Sequence, residues 1–236
     1  EILIGLVGSE MCIRDRGAAL IYFVTYLMML YVATMKLRYL AAGAFAGTAA
    51  SVVAYQLFAH VRVRVAAWQD PWSNMNQGGY QICQSLFAIG TGGLFGMGLG
   101  QGMPKSVPVV ESDFIFSAIA EEMGVIFCIF LILIYISSFI MFVNIALKMK
   151  KNFYKLCAFG LSVVLVFQVF LSIGGVTKFI PSTGVTLPLI SYGGSSIITT
   201  IVIFSIIQGM YVRNRREEVT TNEEQAAINR KSGKRQ

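Results

Sequence analysis

The sequence predicts an all-α polytopic membrane protein, and three observations support this prediction. Of the 236 residues, 56% are hydrophobic and only 13% are charged, whereas a soluble domain carries about 25% charged residues. Five apolar stretches each reach the length of about 20 residues that a helix needs to cross a bilayer. Basic residues cluster between these stretches, as they do in cytoplasmic loops of membrane proteins. This composition also argues against a nucleic-acid-binding domain, which needs a basic face on a soluble fold.

The five predicted membrane-spanning helices cover most of the chain. We place them at residues 17–35, 39–59, 114–147, 153–176 and 187–212. The third stretch is longer than one crossing requires, so we expect it to tilt or to begin above the membrane. The membrane domain therefore runs from residue 17 to 213. The polar residues 214–236 that follow are predicted to be a solvated, partly disordered cytoplasmic tail.

Basic clusters set the predicted orientation. They lie at residues 36–38, 148–155 and 213–216, and all fall on one side if the five helices alternate. That side should be the cytoplasm, which places the long 60–113 loop outside. Arg14 and Arg16 disagree, because five crossings with an inside C-terminus put the N-terminus outside. We therefore predict that residues 1–16 are a non-native leader and that earlier membrane helices are missing.

The 60–113 loop is too long for a simple connection, and its apolar part is rich in glycine. The apolar stretch from Gln81 to Gly102 suits structure that lies on the outer membrane face or dips into it. Glycines at residues 90–100 show a dinucleotide-like spacing, but no βαβ unit surrounds them. We expect close backbone packing or a re-entrant turn there instead.

Asp113 lies where the polar loop becomes an apolar helix, and two interpretations are open. Either Ser112 or Asp113 caps that helix, or Asp113 is a catalytic base. Asp113 and Glu121 are separated by about 12 Å of helical rise, which exceeds the roughly 6.5–9.5 Å between the paired carboxylates of an inverting glycosidase. A single base therefore fits better than a pair. We expect Glu121 and Glu122 to form interhelical contacts.

The predicted outer loops also carry basic groups. These are His60, Arg62, Arg64, Lys105 and Lys178. An arginine fork matches phosphate oxygens well, which favours binding of an anionic lipid pyrophosphate. The alternative is that these side chains snorkel to lipid headgroups. Arg62 and Arg64 point to one side if the segment is extended, or about 200° apart if it is helical.

Several ordered motifs resemble the SEDS family of the FtsW/RodA/SpoVE type. They are VPVVESDFIF at 107–116, AEEMG at 120–124, PSTG at 181–184 and LPLISYGGSS at 187–196. The resemblance covers residues 17–213 and implies a ten-helix membrane fold, of which this chain holds the last five helices. It further implies a peptidoglycan glycosyltransferase that polymerises lipid II. The division or sporulation branch of the family looks somewhat closer than the elongation branch.

The resemblance places the family's essential aspartate on Asp113, as the base that deprotonates the acceptor sugar. Many members have Pro-Glu-Ala-His-Thr-Asp here, whereas this chain has Glu111 at the usual histidine position, so roles of the missing side chains do not transfer. The candidate substrate contacts are His60, Arg62, Arg64, Gln84, Lys105, Glu111, Lys178 and Ser191. Ser191 has no local base, which argues against a nucleophilic role.

Partners and cofactors are also implied by the resemblance. We expect lipid II as substrate, a class B penicillin-binding protein as transpeptidase partner, other cell-wall synthesis proteins, and a multi-pass location in the bacterial cytoplasmic membrane. A divalent cation, Mg²⁺ or Mn²⁺, would share the stabilisation of charge, with only Asp113 and Glu111 as plausible ligands. Two alternative functions remain open, namely a lipid II flippase and a non-catalytic divisome scaffold.

Overall fold

The computed structural model describes residues 16–233, and this part of the chain contains seven α-helices. They are α1 (Arg16–Thr34), α2 (Leu37–Leu57), α3 (Ala59–Gln69), α4 (Gly79–Gly92), α5 (Ile115–Lys148), α6 (Asn152–Val176) and α7 (Gly194–Gly233). Helices α1, α2, α5, α6 and α7 are long and apolar enough to cross a membrane. The predicted all-α polytopic fold is thus confirmed. The predicted leader lies outside the described residues, apart from Arg16, which begins α1.

Helix α6 is the centre of the packing. It contacts α5 most extensively and α1 next, while α4 packs against α5 and α2 packs mainly on α1 and α3. The largest buried cluster joins the first turns of α5 to the end of α6, and it includes Phe114, Phe116, Val176 and Leu187. By contrast, α2 has no buried residue. The most tightly packed part of the chain therefore surrounds the segment that contains Asp113.

The predicted 60–113 loop is largely folded. It contains α3 and α4 and two short 3₁₀ turns, at Met75–Gln77 and Pro104–Ser106. The residues with alternating arginine and valine form part of the helix α3. The residues after α4, 93–102, form an irregular segment that we call the glycine loop. Gly96 in this loop has a φ of 80°, and a Cβ atom there would overlap the carbonyl oxygen of Glu122. Close backbone packing, as predicted from the glycines, is therefore confirmed at this point.

Helix α5 is broken at Gly124, where φ is 83° and ψ is 171°. A straight α-helix would use the carbonyls of Glu121 and Glu122 as acceptors for N–H groups four residues later. Instead, Glu121 accepts from the N–H of Met97 at 2.9 Å, and Glu122 accepts from the N–H of Gly98 at 3.0 Å. The glycine loop therefore takes over the acceptors that the break leaves open.

The donors on the other side of the break are satisfied in the same way. The N–H of Val125 donates to the carbonyl of Gly93 at 3.0 Å, and the N–H of Ile126 donates to the carbonyl of Leu94 at 3.3 Å. Two hydrogen bonds within the helix are thus exchanged for four bonds to the glycine loop. The break in α5 and the path of the loop are one structural unit.

Two glutamate side chains fasten the same loop. The Oε1 atom of Glu121 accepts from the N–H of Met103 at 3.0 Å, and that of Glu122 accepts from the N–H of Gly100 at 3.2 Å. Glu121 is only 6% exposed. The predicted interhelical contact holds for the backbone of Glu121, against which Gly92 of α4 packs. The carboxylates of Glu121 and Glu122 bond to the chain after α4 and not to a helix.

The last membrane-spanning helix begins later than predicted, at Gly194 and not at residue 187. The preceding residues form turns, in which the Ser191 Oγ accepts from the N–H of Leu187 at 2.8 Å and Leu189 has a φ of 64°. The Tyr135 hydroxyl of α5 donates to the carbonyl of Pro188 at 2.6 Å. These contacts hold residues 187–193 outside the helix although their composition is apolar.

The end of α7 also differs from the prediction. Residues after 213, expected to be a partly disordered tail, continue the helix as far as Gly233. Side chains four residues apart support this continuation: Arg213 pairs with Glu217, and Asn214 donates to Glu218. Alternating charges of opposite sign therefore favour helix where their polarity alone suggested disorder.

Candidate active site

Asp113 ends the turn that leads into α5, and its carboxylate is not used to cap that helix. The N-cap residue is Phe114, with no side-chain capping hydrogen bond. The Ser112 hydroxyl contacts the carbonyl of Val109 instead, at 3.4 Å. The capping interpretation is therefore wrong for both Ser112 and Asp113. Among the side chains that the structure describes, none forms a hydrogen bond or an ion pair with the half-buried Asp113 carboxylate, so it is available to a ligand.

A small cavity adjoins the Asp113 carboxylate. Its walls come from the end of α6 and from the segment that follows it, through Leu171, Ser172, Gly175, Val176, Ser182, Thr183, Gly184 and Val185. The cavity has a volume of about 10 Å³, close to the roughly 10–15 Å³ that one water molecule needs, whereas pockets for whole drug-sized ligands have about 300–1,000 Å³. It therefore suits one functional group at the end of a larger molecule.

Two glycines allow the 182–185 segment to approach so closely. Gly184 has a φ of 73°, and a Cβ atom there would lie 3.4 Å from the Asp113 Oδ2. Gly175 on α6 allows a close approach from the other side, because a Cβ atom there would lie 3.3 Å from the Cα of Ser182. The exposed backbone at Gly184 forms the rim of the cavity beside the carboxylate.

Helix α3 fastens the outer side of this segment. The Arg64 Nη1 donates to the carbonyl of Ser182 at 3.3 Å, and the Trp68 Nε1 donates to the carbonyl of Lys178 at 3.0 Å. Arg64 and Trp68 are four residues apart, so they share one face of the helix. Because Ser182 also lines the cavity, Arg64 lies close to the site. Both arginines are exposed, and Arg62 lies on the opposite face of the helix.

The structure places the other predicted contacts elsewhere. Lys178 lies toward Asp70, whose pKa is held below its ordinary value mainly by hydrogen bonds from Ser73 and to a small extent by the Lys178 charge. Gln84 is half-buried on α4, and Ser191 is only 2% exposed. None of these residues lines the Asp113 cavity.

Three further candidates complete the set. The carbonyl of Glu111 accepts from the N–H of Tyr192 at 2.8 Å, while the Glu111 side chain is exposed. His60 lies in α3 and Lys105 in a 3₁₀ turn, and the side chains of both fall outside what the structure describes. Their roles as substrate contacts stay predictions.

A dedicated metal site is not supported by the available donors. Among the side chains that the structure describes, no three histidine, cysteine or carboxylate groups come together to hold a metal ion. The cavity contributes one carboxylate, that of Asp113. No step proposed below therefore uses a cation.

Apart from Asp113, the residues that line the cavity carried no predicted role. Thr183 and Gly184 belong to the PSTG motif that supported the family resemblance, so the motif was a signal for them. Ser172 lies within an apolar helix, and a single serine in such a helix gives no signal. The structure alone brings it to Asp113.

Comparisons with known proteins agree on one family. A family model of cell cycle proteins, of the FtsW/RodA/SpoVE type, matches residues 2–216. The peptidoglycan glycosyltransferase RodA of Mycobacterium leprae (strain TN) is 41% identical over 82% of this chain and 42% of the relative. The probable peptidoglycan glycosyltransferase FtsW of Francisella salina is 36% identical over 89% of this chain and 53% of the relative. The chain thus spans about half the length of the curated relatives it matches.

A solved structure gives the same result. It is a peptidoglycan synthase complex in which polymerization and crosslinking are coordinated, and it matches with a TM-score of 0.68 and 28% identity. The match covers 85% of this chain and 56% of the other. The higher identity to RodA relatives than to FtsW relatives runs against the expected likeness to the division or sporulation branch.

Proposed function

Because the chain belongs to the FtsW/RodA/SpoVE family, we propose that the whole protein is a peptidoglycan glycosyltransferase that polymerises lipid II into glycan strands. The observation that carries this proposal is the uncommitted carboxylate of Asp113 beside a cavity of functional-group size. A carboxylate that does not cap its helix is available as a general base. The names of the curated relatives, peptidoglycan glycosyltransferases, support the same chemistry.

In the proposed mechanism, Asp113 accepts the proton of the 4-hydroxyl on the acceptor lipid II. The acceptor oxygen then forms a bond to the anomeric carbon of the donor sugar. The bond from that carbon to the diphosphate breaks, and undecaprenyl diphosphate leaves with the electron pair. A positioned general base contributes roughly 10²–10⁴-fold to such a rate.

Negative charge develops on the departing diphosphate, so cationic side chains nearby would stabilise the transition state. Arg64 is the best supported of the candidates, because its contact with Ser182 places it next to the cavity. We retain His60, Arg62, Lys105 and Lys178 as proposed contacts of the longer lipid-linked substrate.

The proposed setting is the bacterial cytoplasmic membrane, with the C-terminus in the cytoplasm. The basic residues that follow the last membrane span support this orientation. We propose a class B penicillin-binding protein as partner, together with other cell-wall synthesis proteins. The similarity to a solved peptidoglycan synthase complex supports such a partner.

Chain formation in detergent tests the proposed function. The full-length protein, purified with its cognate transpeptidase, is given labelled lipid II, and the products are separated on a gel. Detergent removes the two sides of a membrane, so a flippase has no activity to show and a polymerase still makes chains. Glycan ladders are the expected result. Their absence, from folded protein with its partner, would favour the flippase or the scaffold.

The two arginines of α3 provide a further prediction. Replacing Arg64 by alanine should lower the polymerisation rate about tenfold, because it removes a charged hydrogen bond to the segment that lines the cavity. Arg62→Ala on the opposite face is the matched comparison and should have the smaller effect. Initial rates with labelled lipid II measure both variants. Equal losses would contradict the placement of Arg64 at the site.

A further inference from the structure

Two hydroxyl groups beside Asp113 have no hydrogen-bond partner among the described residues. They are the Oγ of Ser172 and the Oγ1 of Thr183, and both atoms are buried. Ser172 is 3% exposed, and both residues line the cavity that Asp113 adjoins. Elsewhere on the same helix, the buried Ser162 hydroxyl donates to the carbonyl of Ala158 at 2.6 Å. The only other buried side-chain oxygen without a partner among the described residues is the Oε2 of Glu121, which does not line this cavity.

Buried hydroxyl groups without partners are rare, because burial removes them from water and leaves a cost that no contact offsets. Two of them in one small cavity next to a carboxylate indicate that the cavity is built for a polar group. Such a group would accept hydrogen bonds from Ser172 or Thr183 and donate one to Asp113.

The charges of the cavity decide what kind of group fits. A diphosphate oxygen is unsuitable, because the Asp113 carboxylate would repel it and it has no proton to give. A divalent cation normally takes at least six oxygen ligands, and the cavity offers one carboxylate. A hydroxyl group has one donor and two acceptor lone pairs, which match a carboxylate and two hydroxyl donors.

We propose that Ser172 and Thr183 bind the attacking hydroxyl of the acceptor sugar and hold it against Asp113. This inference rests on the polymerase function proposed above. Both hydroxyls donate to the sugar oxygen while the Asp113 carboxylate accepts its proton. The electron pair that the broken O–H bond leaves on that oxygen forms the new bond to the anomeric carbon.

The test compares variants of the full-length protein, with its transpeptidase partner, in the labelled lipid II assay. Ser172→Ala and the isosteric Thr183→Val are each expected to lower the maximal rate about tenfold, since each removes one hydrogen bond to the reacting oxygen. Thr183→Ser keeps the hydroxyl and should retain most of the rate. The dependence of the rate on lipid II concentration separates loss of turnover from loss of overall binding.

Ser162→Ala is the matched control, because it removes a buried hydroxyl from the same helix away from the cavity, and its rate should equal that of the unmodified protein. The thermal midpoint of Ser172→Ala should not fall, because that hydroxyl makes no hydrogen bond within the described fold.

The outcomes separate the two proposals. Full rates in Ser172→Ala and Thr183→Val, with an inactive Asp113→Asn, would overturn this inference and leave the polymerase function standing. A slow Ser172→Ala with an equally slow Ser162→Ala would also overturn it, as a general packing effect. Failure of the unmodified protein to make chains would overturn both proposals.

Discussion

Replacing Asp113 by asparagine is expected to lower glycan polymerisation by at least about 100-fold, which is the lower range of what a general base contributes. Asparagine keeps the size of the side chain but cannot accept the acceptor's proton. The carboxylate has no hydrogen bond or ion pair to the described residues, so the substitution should leave the fold and membrane insertion intact. The measurement is the gel assay of glycan chains with purified full-length protein and its partner.

Asp70→Asn is the control for this experiment. Asp70 lies in the same long region between membrane spans, and its side chain accepts from the hydroxyl and N–H of Ser73 in a local turn. The single oxygen of asparagine still accepts one of these two hydrogen bonds, so normal chain formation is expected. Chains from Asp113→Asn at the rate of the unmodified protein would reject Asp113 as the base.

The second large effect is expected at Gly96, where alanine should destabilise the protein by about 3 kcal/mol. An L-residue at positive φ costs about 1–2 kcal/mol, and the added methyl group would overlap the Glu122 carbonyl. The loop would then move away and weaken several of the hydrogen bonds at the break in α5, each worth about 1 kcal/mol. The thermal midpoint of the purified protein in detergent measures this loss.

Two other glycines are graded controls for Gly96→Ala. Gly100 also has a positive φ, of 74°, but a Cβ atom there meets nothing within 4 Å. Alanine at this position should therefore cost only the free energy of placing an L-residue at positive φ. Gly90 lies within α4 with open space around it, and alanine there should be neutral or stabilising. If all three variants had the same thermal midpoint, this would contradict the conclusion that close packing of the glycine loop against the break in α5 stabilises the protein.

Long apolar segments made much of the fold predictable from the sequence. Helices α1, α2 and α6 begin and end within two residues of the predicted bounds, because composition and length decide where a bilayer can be crossed. The late start of α7 was not predictable in this way. Residues 187–193 are as apolar as a helix requires, and side-chain contacts to Ser191 and from Tyr135 hold them in turns.

The candidate site was predictable only in part. Asp113 stands out in the sequence because it is an acidic residue at the entrance of an apolar helix. Arg64 and Arg62 were indistinguishable until α3 proved to be a helix with one face on the 177–183 segment. Ser172 and Thr183 depend on which chain segments meet, and meeting points between distant segments leave no local pattern in the sequence.

The break in α5 has a consequence for the depth of Asp113 in the bilayer. Backbone groups left without partners in hydrocarbon cost several kcal/mol each, so a broken helix is normally confined to places that water reaches. Here the glycine loop supplies partners to four backbone groups at the break, and it presents Leu94 and Phe95, 63% and 82% exposed, to its surroundings.

Because of these hydrogen bonds, the broken part of α5 can lie at the boundary of the hydrocarbon core. At about 1.5 Å per residue, residues 125–148 alone are long enough to cross a core of about 30 Å. Residues 115–123 are not needed for the crossing, so the thickness of the bilayer constrains only residues 125–148. The height of Asp113 relative to the bilayer is then set by where the glycine loop contacts the helix.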